Sequence, residues 1–311
     1  MESINLGLCC INTTLRNQKP PVFCSRSMIL KSFETKGMDH LKQLIRQNLQ
    51  DCLALIEWNY QHNINVFRLS SDLFPHKSNP KAPSYTFDFA LDLLTKIGET
   101  ARKYNQRLTF HPGQYDVLAS SNPDVIQHTV EDLKYHADVL DLMGMDSNGV
   151  IVIHGGGTYG NKAKAKQRFC ENFNRLPGSV KSRLVLENCE KNFSIVDCLE
   201  ISDYIGIPVV FDTHHFECYS DLHIDEPFEI AEYYIPMILK SWGTRKPKFH
   251  VSEQGPGKRG HHSDFIEKIP EFLLEIPRLY NVEIDIMIEA KMKEQAILKL
   301  YNKYSVKCIR C

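Results

Sequence analysis

The sequence predicts a single-domain (β/α)8 barrel whose functional residues gather where the strands end. Three observations carry that prediction. Six β-rich runs each finish on an imidazole or a carboxylate: Leu108-Thr109-Phe110-His111, Val150-Ile151-Val152-Ile153-His154, Leu184-Val185-Leu186-Glu187, Val209-Val210-Phe211-Asp212, Lys248-Phe249-His250 and Ile284-Asp285-Ile286-Met287-Ile288-Glu289. Strand-then-helix patterns alternate eight times along the chain. From His111 to Glu289 the strand-end residues recur at intervals of 25 to 43 residues, which suits a barrel of about 31 residues per unit with enlarged loops.

The elements follow in order. Ile4 to Cys10 is a first strand, with Asn12 opening the loop beyond it. Leu41, Leu44, Ile45, Leu49, Leu53 and Ile56 recur at helical period and predict a long amphipathic helix over Met38 to Gln61. Asn65 to Leu69 is the second strand, Ser70 to Ser84 a Pro- and Ser-rich loop, and Phe87 to Tyr104 the next helix. After the strand ending at His111, Pro123 starts a helix running to about Met143. After His154, Gly155-Gly156-Gly157 allows close backbone approach. Helical patterns follow over Ala163 to Asn174 and Ile195 to Tyr204, and Gly206 is placed to stop the second. Further helices are expected near Pro227 to Leu239 and Ser263 to Leu274, around a strand at Pro247 to Val251, with a last strand and helix from Ile284. The barrel should occupy residues 1–295, leaving 296–311 as the end of the last helix and a tail.

A doubly wound open sheet would also alternate strand and helix, but it collects ligands at one switch point. In a closed parallel barrel every strand ends at the same mouth, so residues far apart in sequence converge. The TIM barrel is therefore the expected architecture.

Composition bounds the rest. The chain has 311 residues, 42% hydrophobic and 24% charged, with a formal net charge of −1. No run of eighteen apolar residues predicts a membrane span, and the N-terminus lacks the sections of a secretory signal, which points to an intracellular protein. The sequence does not distinguish nucleus, organelle, viral factory or prokaryotic cytoplasm. Ten cysteines scattered through a chain of this size read as buried thiols, and the single C-x-x-C, Cys308 to Cys311, has no second pair with which to build a zinc site. Local basic runs stand out against the neutral total: Lys162, Lys164, Lys166 and Arg168, then Arg245, Lys246, Lys248, Lys258 and Arg259.

His111, His154, Glu187, Asp212, His215, His250, His262 and Glu289 mix imidazoles with carboxylates and include no thiolate, which favours Zn²⁺ or Mn²⁺ over iron-sulfur or haem chemistry. Eight such residues are too many for one ion and imply a cluster of two or three. A cluster of that kind clamps a phosphodiester, brings the pKa of a water to about 7 and neutralises charge on the leaving oxygen. No G-x-S-x-G, Walker loop or dinucleotide fingerprint supports another chemistry.

His111-Pro112-Gly113-Gln114-Tyr115, Ile153-His154-Gly155-Gly156, Leu186-Glu187-Asn188, Phe211-Asp212-Thr213-His214-His215, Lys248-Phe249-His250 and Ile288-Glu289-Ala290-Lys291 with Lys293-Glu294 resemble, in this order, the UV damage endonucleases, relatives of the barrel-type apurinic endonucleases. The likeness runs from about Gly7 to Gln295. It implies an enzyme that nicks DNA 5′ of a damaged site with divalent metals, manganese ahead of zinc or magnesium. It also implies His111, His154, Glu187, Asp212, His215, His250 and Glu289 as metal ligands, with either His262 or the adjacent His261 joining them. Lys248 stands where a lysine near the metals can be carboxylated, and Asn12 where a residue lies near the scissile phosphate. Gln114 and Tyr115 would probe the duplex, a ring stacking on exposed bases and an amide replacing lost pairing. Leu8 stands where relatives carry a tyrosine close to the lesion. Arg68 is read either as a phosphate contact or as a structural ion pair. Lys162, Lys164 and Arg259, within the two basic loops, would track the backbone. The implied partner is damaged double-stranded DNA, met by a monomer with no membrane attachment and no obligate protein partner. Competing readings are an apurinic endonuclease, a sugar isomerase or epimerase on the same barrel, and a lesion-binding protein without catalysis.

Overall fold

Eight parallel strands form one sheet in the order β3-β2-β1-β8-β7-β6-β5-β4. The structure, a computed structural model, describes residues 3–304. The strands are β1 (Ile4–Cys9), β2 (Val66–Arg68), β3 (Arg107–Thr109), β4 (Ile151–His154), β5 (Leu184–Glu187), β6 (Val209–Asp212), β7 (Lys248–Val251) and β8 (Ile284–Ile288). Between β3 and β4 the sheet closes through Phe110, whose N–H donates to the Val150 carbonyl and whose carbonyl accepts from the Val152 N–H, both at 2.9 Å. The result is the barrel that the alternating pattern predicts. Its strands are buried on both faces, which is why they read as near-continuous runs of Val, Ile, Leu and Phe.

The helices are α1 (Thr13–Asn17), α2 (Lys31–Gln61), α3 (Leu91–Lys103), α4 (Pro123–Leu142), α5 (Lys162–Arg175), α6 (Gly178–Lys181), α7 (Ile195–Ile205), α8 (Thr213–Leu222), α9 (Ala231–Trp242), α10 (Glu271–Tyr280) and α11 (Glu294–Lys303). Local chemistry sets many of the ends. Asn122 accepts from the Asp124 N–H with Pro123 at the first helical position, Ser194 and Asp197 form a capping box on α7, and Gly206 ends α7 at φ 73°.

Besides the short helices α1 and α6, which the sequence reading lacks, three elements depart from it. α2 begins at Lys31, seven residues early, but its first turns are separated from the rest at Gly37, φ 70°, so the regular helix starts where the periodicity does. α8 was not expected, because Thr213-His214-His215 reads as the polar end of a strand; the Asp212 side chain caps it by accepting from the His215 N–H at 2.8 Å. The helix expected over Ser263 to Leu274 is instead α10, since the Ser263, Glu267 and Lys268 N–H groups donate to Glu253 and the Ile269 N–H to the Tyr304 hydroxyl, which holds residues 263–269 as a loop, and Pro270 sets the start.

α11 packs on the barrel through Ala296, Ile297, Leu300 and Tyr301. Eight cysteines are free among the described residues, and burial pushes the Cys9 and Cys24 thiols up to about 12. Cys308 and Cys311 lie outside the described residues. No described helix is long and apolar enough to cross a membrane.

The two ends of the barrel differ in chemistry. Where the strands begin, Asn5 and Arg107 both donate to Asp285, at 2.9 and 2.8 Å, in a compact polar floor. Arg245 and Lys246 precede β7 on this same face, where they bind the Ser182 carbonyl and Glu283. The basic loop expected over Arg245 to Arg259 is therefore split, because a strand crossing the barrel separates its halves: only Lys258 and Arg259 lie beyond the end of β7.

Candidate metal centre

The strand-end residues converge at the opposite face. His154 and Glu187 are the last residues of β4 and β5 and stand in register with each other; Asp212, the last of β6, stands in register with His250 of β7. His111 lies two residues past β3, Glu289 directly after β8, and His215 in the first turn of α8.

Glu187 is at the centre, fully buried. Its Oε2 lies 2.9 Å from His111 Nε2 and 3.7 Å from His154 Nε2; its Oε1 lies 2.8 Å from His250 Nδ1 and 3.5 Å from His215 Nδ1. One carboxylate thus faces four imidazoles, two on each oxygen. His250 Nδ1 also approaches Glu289 Oε1 at 3.4 Å, and His262 Nε2 stands 3.9 Å from Glu289 Oε2. It is His262 that faces Glu289, while His261 is exposed beside Gly257.

Three groups bring ligand atoms within 4.8 Å of one another: His111, Glu187 and His250; His154, Glu187 and His215; Asp212, His250 and Glu289. Glu187 belongs to two of these groups, and the two oxygens of a carboxylate would let it serve two ions; the nitrogen and oxygen donors suit a borderline or hard divalent metal. Two buried atoms without hydrogen-bond partners, Asp212 Oδ2 and His154 Nδ1, support the same fit, because buried polar atoms are ordinarily satisfied. These residues could hold metal ions.

Electrostatics agrees with this arrangement. Burial pushes the Glu187 carboxyl up, but His250 and His154 together hold it well below the usual carboxylate range. Glu289 is likewise kept low against burial, chiefly by Arg68. Burial would lower His215, yet Asp212, Glu187 and Glu289 lift it to about 9, while burial lifts Asp212 to about 7. A cation placed among these groups would take over the role of the His215 proton.

Supporting residues hold the cluster. Arg68 Nη1 donates to Glu289 Oε1 at 2.6 Å, so of its two readings the ion pair is the one whose partner the structure shows. Asn188, which the sequence marks only as the neighbour of Glu187, clamps the Asp212 backbone with its side chain in both directions, at 3.0 and 2.8 Å, and its carbonyl faces His215 Nδ1 at 3.1 Å. Second contacts of this kind fix the orientation of metal-binding side chains.

Lys248 Nζ is buried 2.6 Å from His250 Nε2. Burial, reinforced by Arg68 and Arg107, lowers its amine to about 7, and burial together with Lys248 lowers His250 to about 4. Because the folded value of Lys248 is depressed below the ordinary 10.5, the unfolded chain binds the extra proton between about pH 7 and 10.5, and stability rises with pH across that window. In metal-free protein, Lys248→Met is expected to be more stable than the parent near pH 6, on the order of 3–5 kcal/mol, with the advantage fading toward pH 10. Thermal midpoints of the two proteins across that range check it; a constant difference would mean the amine is not depressed.

Beside the cluster, Gln114 and the 81% exposed Tyr115 form the tip of the loop after β3. The base of this loop is held from several sides. The Val117 N–H donates to Thr129 Oγ1 at 3.0 Å, Arg168 Nε to the Ala119 carbonyl and Asn172 Nδ2 to the Leu118 carbonyl, both at 2.8 Å. Gly156, φ 87°, admits Val117 where a Cβ would sit 2.3 Å from its methyl. Asp116, Val117, Gly156, Glu190 and Asn192 help line a cavity of about 290 Å³ beside Gln114 and His154.

Other expected DNA contacts are placed differently. Leu8 is fully buried in β1 and offers no surface to a duplex. In the run after His154, Lys162 binds Asp197 and Tyr219, Lys166 binds Asp197 and Glu200, and Arg168 holds the loop after β3, because α5 turns these residues toward α7 and that loop. Lys164 is exposed, and Arg259 is exposed but paired with Asp221 at 2.5 Å. Asn12 is buried, and its Nδ2 has no partner.

Comparison with known proteins follows the same lines. The sequence profile of the family described as UV-endonuclease UvdE matches residues 4–310. A protein of Acanthamoeba polyphaga mimivirus is 37% identical over 97% of this chain and 91% of its own length. The UV-damage endonuclease of Schizosaccharomyces pombe is 38% identical over 98% of this chain, which spans only 51% of that longer protein. The crystal structure of SacUVDE superposes with a TM-score of 0.84 at 33% identity, covering 97% of this chain and 98% of that one. A family 2 AP endonuclease from Brucella melitensis, 11% identical at a TM-score of 0.53 over 81% of this chain and 93% of its own, shares the fold alone.

Proposed function

Because this chain belongs to the UV-endonuclease UvdE family, we propose that it cuts UV-damaged double-stranded DNA on the 5′ side of the lesion, by hydrolysis with two or three divalent ions, manganese foremost. The observation that carries this reading is Glu187, one buried carboxylate within 3.7 Å of four ring nitrogens at the barrel mouth, beside an exposed glutamine and tyrosine. His111, His154, Glu187, Asp212, His215, His250, His262 and Glu289 would hold the ions. When bound, these would supply Lewis acidity to the scissile phosphate and to the attacking water.

The chain's own residues do the rest. Asp212 and Glu187 draw the cations against His215 and His154. Lys248, with its amine lowered to about 7, is neutral in a large fraction near physiological pH, which carbamate formation at that nitrogen requires. Tyr115 and Gln114 enter the helix at the lesion, where weakened stacking makes extrusion of the damaged bases less costly. Lys164 and Arg259 meet the phosphate backbone, so binding weakens with salt. The protein acts as a monomer.

Irradiated supercoiled plasmid incubated with the protein and Mn²⁺ is expected to become nicked circles, with untreated plasmid left intact. Equal nicking of both would remove lesion specificity, and conversion of a ketose without nicking would transfer the site to epimerase chemistry.

A further inference from the structure

Glu294 closes the stretch Glu289-Ala290-Lys291-Met292-Lys293-Glu294, five residues beyond the carboxylate of the cluster, and none of the roles above uses it. It is fully buried. Its oxygens accept four hydrogen bonds, all from two consecutive residues on the far side of the chain. Oε2 accepts from the Thr13 N–H at 2.7 Å; Oε1 accepts from the Thr13 hydroxyl at 2.6 Å and from the N–H and hydroxyl of Thr14, both at 2.8 Å. Gln295 Nε2 adds a bond to the Thr13 hydroxyl at 2.9 Å. The preceding Lys293 is a non-glycine residue at φ 50°, a strained turn of the sort retained near functional sites.

Thr13 and Thr14 directly follow Asn12, so this grip sets where Asn12 stands. The Asn12 Oδ1 accepts from the Leu15 N–H at 2.9 Å, which assigns the amide and leaves Nδ2 as the donor still to be satisfied. That Nδ2 is buried without a partner. A buried, unpaired donor on a fixed side chain is the arrangement that a bound anionic oxygen satisfies. β1 and β8 are neighbours in register, Leu8 opposite Ile288, so the loop carrying Asn12 and the segment carrying Glu289 and Glu294 leave the barrel side by side.

We propose that Glu294 is a positioning residue for strand incision: by holding Thr13 and Thr14 it aims Asn12 Nδ2 at an oxygen of the scissile phosphate. This rests on the endonuclease reading and on Asn12 meeting that phosphate. A donor that strengthens its bond as charge develops is felt in kcat more than in KM.

The test is a double-mutant cycle on the metal-loaded protein with irradiated duplex, comparing parent, Asn12→Ala, Glu294→Gln and the double variant. Glutamine keeps the volume but replaces one acceptor oxygen by an NH2 group that opposes the threonine donors. Asn12→Ala is expected to lower kcat about 10²-fold and Glu294→Gln about tenfold, with KM and bound metal unchanged. The double variant should fall no further than Asn12→Ala alone. Thr14→Val removes one of the four bonds, and its smaller loss of kcat should vanish likewise when Asn12 is already alanine; it serves where Glu294→Gln folds poorly. Multiplying effects in the cycle, or a lowered thermal midpoint with parental kcat, would overturn positioning and leave Glu294 a purely structural tie. Parental kcat in Asn12→Ala would overturn both the inference and the role of Asn12, while a parent protein that leaves irradiated DNA uncut would take the endonuclease reading with them.

Discussion

Glu187→Gln is expected to bind irradiated duplex as the parent does and to cut it about 10³-fold more slowly. The size of the effect follows from its geometry. Both oxygens serve two imidazoles each, and Glu187 belongs to two of the three groups that could hold ions. An amide keeps the volume, so the buried site does not collapse, but it offers one acceptor and turns an NH2 toward ring nitrogens. Loss of a charge clamp worth about 4 kcal/mol converts, at about 1.4 kcal/mol per decade, to three decades of rate. Metal analysis of protein purified without chelator should show fewer ions per chain than in the parent. Parental cutting with a full metal load would sink the proposal that this carboxylate holds the ions.

Removal of Gln114 and Tyr115 together is expected to abolish most of the preference for irradiated over untreated DNA. Base stacking on an aromatic ring contributes about 1–3 kcal/mol, so kcat/KM on irradiated duplex should fall about 10- to 100-fold. The experiment is clean because the tip of the loop is exposed while its base is fixed elsewhere. Thr129, Arg168 and Asn172 hold the loop through residues 117–119. Thermal midpoint and metal content should therefore stay at the parental values. Unchanged discrimination would show that lesion recognition lies elsewhere, with the cavity lined by Asp116, Glu190 and Asn192 the next surface to examine.

The residues that emerged legibly from the chain are those whose chemistry is tied to a regular element. A histidine or carboxylate at the end of an apolar run marks a strand that reaches the mouth, and His154, Glu187, Asp212 and His250 occupy those positions. Basic residues were less legible, because a helix points successive side chains in different directions. Within seven residues of α5, Lys162 and Lys166 turn to Asp197, Arg168 holds the loop after β3 and Lys164 faces solvent. The alternatives left for Arg68 could be separated only by its partner, Glu289, which lies 221 residues away. Leu8 illustrates the same limit: a position near the mouth says little about exposure when the strand is buried on both faces.

By itself the sequence determined the alternation of strand and helix, the caps that end several helices, the eight ligand-type residues and their order, since periodicity and local hydrogen bonding act over a few residues. Tertiary structure decided which of those groups face one another: four imidazoles on Glu187, His262 and not His261 opposite Glu289, and Glu294 gripping Thr13 and Thr14 from 280 residues away. The physical reason is that hydrogen bonds and ion contacts act over a few ångströms of space whatever the separation along the chain, and only closure of the barrel brings β8 beside β1.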